Sequence, residues 1–113
     1  MTHRIVVFAV AELAIDPNGI GAALTDACRR GRRGSRVCGV CPVGDRVYFL
    51  LRELSRSEPR ETYVLIEVDD VTHAGVTALL NDRWHAGFQA IGTVPLGESS
   101  ALMILAQSPD EAE

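Results

Sequence analysis

The cysteines are the first candidates for chemistry in this chain of 113 residues. Cys38-Gly39-Val40-Cys41 has the spacing of redox and zinc dithiols, and Cys28 is a third sulfur upstream. The surrounding residues argue otherwise. Val37 to Val43 is β-prone, and residues three apart on a regular strand point to opposite faces, whereas a working dithiol sits on a turn or helix start that brings its sulfurs together. Cys28 falls on an apolar helical face, where free cysteine behaves as a small hydrophobe. Three buried structural cysteines are therefore expected, and a thiol-based redox or metal-binding role for Cys38 and Cys41 is the alternative.

The second candidate is a basic run. Arg29, Arg30, Arg32, Arg33 and Arg36 stand within residues 28–36 without a single acid, so this segment carries +5 while the rest of the chain carries −9, for a net charge of −4. Such a loop can hold phosphate, nucleic acid or an acidic partner. It also suits a helix end, where cations favour the dipole. No aromatic residue adjoins it to stack bases, and the overall acidity opposes non-specific nucleic-acid binding, so a solvated or dimer-contact loop is expected first, and an anionic ligand or acidic partner held by Arg32 and Arg33 is the specific alternative. All eleven basic residues are Arg and none is Lys, a bias that points to a GC-rich genome and weakens arguments from Arg content alone.

The remaining polar residues do not converge. His3, His73 and His85 lack a second ligand at helical spacing, and no Ser-His-Asp set or carboxylate pair can be assembled from local sequence. Gly19-Ile20-Gly21 is too short a pattern for a phosphate loop. No catalytic residue, metal or cofactor is expected.

The elements that must position these residues follow from periodicity. Ile5 to Val10 is a continuous β-prone run. After Asp16-Pro17-Asn18-Gly19, apolar residues at Ile20, Ala23, Leu24, Ala27 and Cys28 mark one face of a helix, capped by Asp16 or Asn18 and stopped near Gly31. Val37 to Val43, the turn Gly44-Asp45 and Val47 to Leu51 read as a hairpin. The same order then recurs: Tyr63 to Val68 as a strand, and a helix with Val76, Leu79, Leu80 and Trp84 on one face, capped by Asp70 or Thr72 and ended by Gly87. Phe88 to Leu96, a turn at Gly97-Glu98-Ser99, and Ala101 to Ala106 complete it. Residues 108–113 form a short acidic tail.

The recurrence extends to particular residues. A shift of 53 places Arg30 on Arg83, Gly34 on Gly87, Gly39 on Gly92, Pro42 on Pro95, Gly44 on Gly97 and Asp45 on Glu98. The first strands need a different shift, which places a length change in a loop. One domain spanning residues 1–107 is expected, made of two βαββ repeats at 4–54 and 61–107. Leu79-Leu80-Asn81, Gly87-Phe88-Gln89 and Ile91 to Gly97 resemble a family of small bacterial domains with no established activity, in which Leu-Asn is followed by Gly-Trp-Glu and a strand hairpin. Phe88 and Gln89 depart from that signature. The resemblance implies a βαββ arrangement and no activity.

The expected fold is thus α+β, with two tandem βαββ units in pseudo-two-fold symmetry, antiparallel-rich sheets and two helices. The four best strands are nearly continuous apolar runs, which predicts burial on both sheet faces. Two helices cover only one face, so the other must meet the second unit or a partner chain. Hence a homodimer or larger assembly is expected, acting through association or small-ligand binding. An apolar fraction of 47% and a mean hydropathy of +0.11 agree with surface that needs hiding. No apolar run approaches the roughly 20 residues of a membrane span, and Met1-Thr2-His3-Arg4 opens straight into a strand, so a cytoplasmic protein is expected.

Overall fold

The computed structural model describes residues 3–69, 72–97 and 100–107. Strand β1 (His3–Ala9) leads into helices α1 (Val10–Ile15) and α2 (Pro17–Arg29), followed by strands β2 (Ser35–Val43), β3 (Arg46–Glu53) and β4 (Thr62–Val68). Helix α3 (His73–His85) and strands β5 (Phe88–Pro95) and β6 (Ala101–Gln107) complete the α+β chain. Two three-stranded antiparallel sheets result, ordered β1-β3-β2 and β4-β6-β5. No described helix is long and apolar enough to cross a membrane.

Local chemistry sets the helix starts. The Asp16 carboxylate accepts from the Gly19 N–H at 3.0 Å and Pro17 occupies the first turn of α2, while the Thr72 hydroxyl accepts from the Gly75 N–H at 3.1 Å to begin α3. Asp70, the other candidate cap, lies outside the described residues, as do Glu98, Ser99 and the tail 108–113. Two helices were expected and a third is present. The β-prone run stops at Ala9, where the Glu12 carboxylate accepts the Ala9 N–H at 3.1 Å and starts the single short turn of α1, which buries Leu13.

Both hairpins carry a bulge at matching places. The pairing of β2 with β3 shifts between Val37 and Gly39, and that of β5 with β6 between Ala90 and Gly92. Gly34 and Gly87, 53 residues apart, both enter their strands with positive φ, 82° and 89°.

The sheets face each other within the chain. Their shared core joins Val47, Phe49 and Leu51 of β3 to Leu65 of β4 and to Leu102 and Ile104 of β6, with Leu13 and Leu24 supplied by the helices. A smaller core lies on the far side of the second sheet, where Met103 and Leu105 meet Val76 and Leu79 of α3. The helix stripes are rotated from the sequence expectation. On α2 the buried set is Ile20, Gly21, Leu24, Thr25 and Cys28, with Ala23 exposed. On α3, Val76 and Leu79 pack inward while Leu80 and Trp84 face solvent, Trp84 at 66% exposure.

The rotation of α2 has a cause in its partner. The helix lies along the outer edge of β4, where a Cβ on Gly21 would sit 3.1 Å from the Tyr63 carbonyl oxygen, so a larger residue would need helix and strand to part by a few tenths of an ångström. There the Thr25 hydroxyl accepts the Tyr63 N–H at 2.9 Å and donates to the Gly21 carbonyl at 2.9 Å. An edge amide that would template another strand is thereby paired.

Candidate functional site

The first sheet has one face in the core and one face open. Antiparallel partners share a face, so Val6, Phe49 and Val40 point inward together, whereas Ile5 with Leu50 and Val7 with Tyr48 and Cys41 point outward. Ile5 is 60% exposed and Val7 41%, and Val43 extends the patch at 53%. Burial on both faces, expected for all four best strands, holds for β6, whose residues Leu102 to Ala106 are all buried. It fails for β1 and the outer side of β3, because α2 packs into the core and along β4, and leaves the outside of its own sheet uncovered.

The bulge in β2 also changes the cysteine geometry. Its extra residue sets Cys38 beside Leu50, to whose carbonyl the thiol donates at 3.3 Å, so the strict alternation that would separate Cys38 from Cys41 is interrupted. Both are exposed, contrary to the expectation of three buried thiols; only Cys28 is buried, and burial pushes its thiol up to about 11. On a paired strand, Cα atoms three residues apart are roughly 10 Å from each other, beyond disulfide reach. No cluster of three or more His, Cys, Asp or Glu side chains suited to a metal ion exists among the described residues. His3 lies on β1, and His73 and His85 are the two ends of α3, all exposed.

The arginine run divides in two. Arg29 donates to the Thr62 hydroxyl at 3.3 Å. Arg36, on β2, donates to the Pro59 carbonyl at 2.9 Å and lies 3.7 Å from Glu58 and 3.6 Å from Glu61, so it clamps the connection from β3 to β4. Arg52 completes that clamp with a two-pronged contact to Glu58, one arm at 2.7 Å, and these hydrogen bonds hold the Glu58 carboxyl far below the usual range. Tyr63 ties the same region together: its hydroxyl accepts the Val37 N–H at the bulge, 2.9 Å away, and donates to Glu61 at 3.0 Å. Burial raises the Tyr63 hydroxyl well above its ordinary value.

Arg30, Arg32 and Arg33 go elsewhere. They line a cavity of 240 Å³ at the connection from α2 to β2, joined by Arg4 from β1 and by Glu53 from β3. Arg4 is held in place by its own bonds to the Ala27 carbonyl, 2.9 Å, and the Ser35 hydroxyl, 3.3 Å. Glu53 pairs with Arg33 at 3.6 Å. Sequence reasoning missed Arg4 and Glu53, because only the β1-β3-β2 order brings them beside the loop. A second cavity, lined by Trp84, Gly87, Phe88 and Gln89, sits at the corresponding connection from α3 to β5.

The chain matches no protein-family model, no curated protein and no solved structure.

Proposed function

We propose that this chain is a non-enzymatic module that acts by self-association, forming a homodimer through the open face of its first sheet. The observation that carries this reading is a register comparison between the two sheets. The matched bulges equate β2 with β5, and strand pairing then equates Phe49 with Met103, Leu50 with Ile104, and Ile5 with Leu65. Leu65 and Ile104 are buried in the shared core, at 1% and 0% exposure, whereas their equivalents on the outer face differ: Ile5 is 60% exposed and Leu50, beside it, is half-buried. A surface of one design is thus covered by a sheet in one half and, among the described residues, left open in the other.

The same equations support an internal duplication. They also argue for units stacked in one sense rather than about a two-fold axis, since Phe49 faces the shared core while its equivalent Met103 lies under α3. The unsatisfied face then stands at one end of the stack. A second copy offering the same face closes the assembly as a symmetric pair without leaving a repeating contact.

The face suits such a partner. Its centre, made by Ile5, Val7, Tyr48 and Leu50, is apolar, and its charged end is already neutralised by the Arg52 and Glu58 contact. Three strands paired over seven positions give roughly 14 by 23 Å of face, or about 640 Å² of flat area for two copies before side-chain relief is added, the size of a weak, transient interface. A reversible, concentration-dependent dimer follows. A reducing, cytoplasmic setting fits three free cysteines, two of them exposed.

Sedimentation equilibrium at micromolar concentrations tests the proposal with the Val7→Glu variant. The expected result is a monomer-dimer equilibrium for the parent chain and a folded monomer for the variant. A parent chain that stays monomeric, or a variant that still dimerises, rejects it.

A further inference from the structure

We infer that the corner at residues 30–35 is a binding site for a phosphate group, on grounds independent of the sheet face. Four arginines, Arg4, Arg30, Arg32 and Arg33, line one cavity together with a single acidic residue, Glu53. Arg30 and Arg32 have no hydrogen-bond or ion-pair partner among the described residues, while Arg29 and Arg36 of the same run are occupied by Thr62 and by the linker. The run is therefore sorted by the fold into structural and available members.

Each component has a role in holding an oxyanion. Arg4 is fixed through one terminal nitrogen and keeps its other donors, so little rotamer freedom remains to be lost on binding. Arg33 and Glu53 pair loosely, with side chains 51% and 39% exposed, and an exposed pair of that kind is weak enough for a stronger anion to displace. Gly31 has φ of 88° and nothing within 4 Å of its missing Cβ, which leaves the rim open. The carbonyl end of α2 faces this corner and its dipole disfavours anions, so the guanidinium groups must supply the attraction. With Glu53 displaced, four positive charges meet the ligand. That surplus favours a dianion over a single carboxylate, and arginine forks match phosphate oxygens two at a time.

The corresponding corner of the second unit shows that the fold does not require this charge. Gly87 repeats Gly34, but Trp84, Phe88 and Gln89 stand where Gly31, Ser35 and Arg36 do, and Arg83 is the only basic residue in the stretch besides His85. What the backbone needs is kept in both units, and the arginine cluster is not.

The test titrates the chain with inorganic phosphate, and with chloride at equal ionic strength, following backbone amide shifts. Saturable shifts at residues 30–35 with phosphate alone are expected. The Arg32→Ser/Arg33→Ser variant should bind about tenfold more weakly with an unchanged thermal midpoint, because each lost contact is a charge-assisted hydrogen bond from an exposed side chain. Glu53→Gln, which removes the competing anion, should bind severalfold more tightly. Phenyl phosphate separates the sources: tighter binding than inorganic phosphate assigns the site to a phosphate ester, and equal or weaker binding to the free ion. Identical behaviour with chloride and phosphate, or a Glu53→Gln variant that gains nothing, overturns the inference.

Discussion

The two sheets present equivalent positions to opposite environments. Leu65 on β4 is enclosed by the first sheet, while its equivalent Ile5 on β1 faces water. Cys41 on β2 is exposed, while its equivalent Val94 on β5 is fully buried. Arg52, which ends β3 in a charged clamp, corresponds to Ala106 in the core. Backbone pattern and bulge are shared, so what differs is the neighbour each face meets. Two sheets of matching register and bulge thus differ in surroundings, one enclosed on both faces at its central strand and the other left with an open face.

The sharpest way to break this comparison is to truncate both members of one equivalent pair. Leu65→Ala should cost about 2–5 kcal/mol of unfolding free energy, the range for emptying a buried leucine site. Ile5→Ala, measured at concentrations that keep the chain monomeric, should change stability by less than about 0.5 kcal/mol. Urea denaturation of both variants gives the answer. Similar losses would mean that the outer face of the first sheet is already buried and that the two environments are alike.

A smaller effect is expected at the charged end of the first sheet. The Arg52 contact holds the Glu58 carboxyl below its unfolded value, so its contribution is fully present above the ordinary carboxyl range, near pH 4.3, and is lost as pH falls from there toward the folded value. Glu58→Gln should reduce stability by about 1 kcal/mol at neutral pH, between the values for an exposed ion pair and a buried charged hydrogen bond. The gap between parent and variant in thermal midpoint should narrow as the pH drops below 4.3. A constant gap down to acid pH would show that Glu58 acts by packing alone. Ala106, at the position equivalent to Arg52, has no ionisable side chain, so no such dependence is expected from it.

Most of the element order was legible because turns and caps are local. Asp16, Pro17 and Gly19 announce α2, Gly44-Asp45 announces the first hairpin, and the repeated spacing of Gly34 and Gly39 with Gly87 and Gly92 marks the matching strands. What sequence could not supply was decided by tertiary neighbours. The stripe on α2 includes Gly21 and Thr25 because the helix approaches a strand edge, a contact that hydropathy does not encode. Trp84 follows an apolar periodicity yet faces solvent. The bulge at Cys38 overturned a sound argument from strand alternation, and Gly39, its residue beside the extra position, was the available signal. At the candidate corner Arg30, Arg32 and Arg33 were visible as a charge run, whereas Arg4 and Glu53 arrive from strands distant in sequence.

The mildest probe sharpens the comparison without perturbing the fold. Cys28, Cys38 and Cys41 report from three places: the enclosed core, the bulge, and the β2 side of the open face. Burial pushes the Cys28 thiol up to about 11, so at neutral pH it has almost no thiolate and no access, and it should label only on unfolding. Cys38 and Cys41 should alkylate in the native chain, read residue by residue by mass spectrometry after a short iodoacetamide pulse. If a second copy covers the face, labelling of Cys41 should slow as protein concentration rises through the dimerisation range, while the Val7→Glu variant labels at one rate throughout. Cys41 labelling that ignores concentration would leave the open sheet face unoccupied, and native labelling of Cys28 would place the supposed core in contact with solvent.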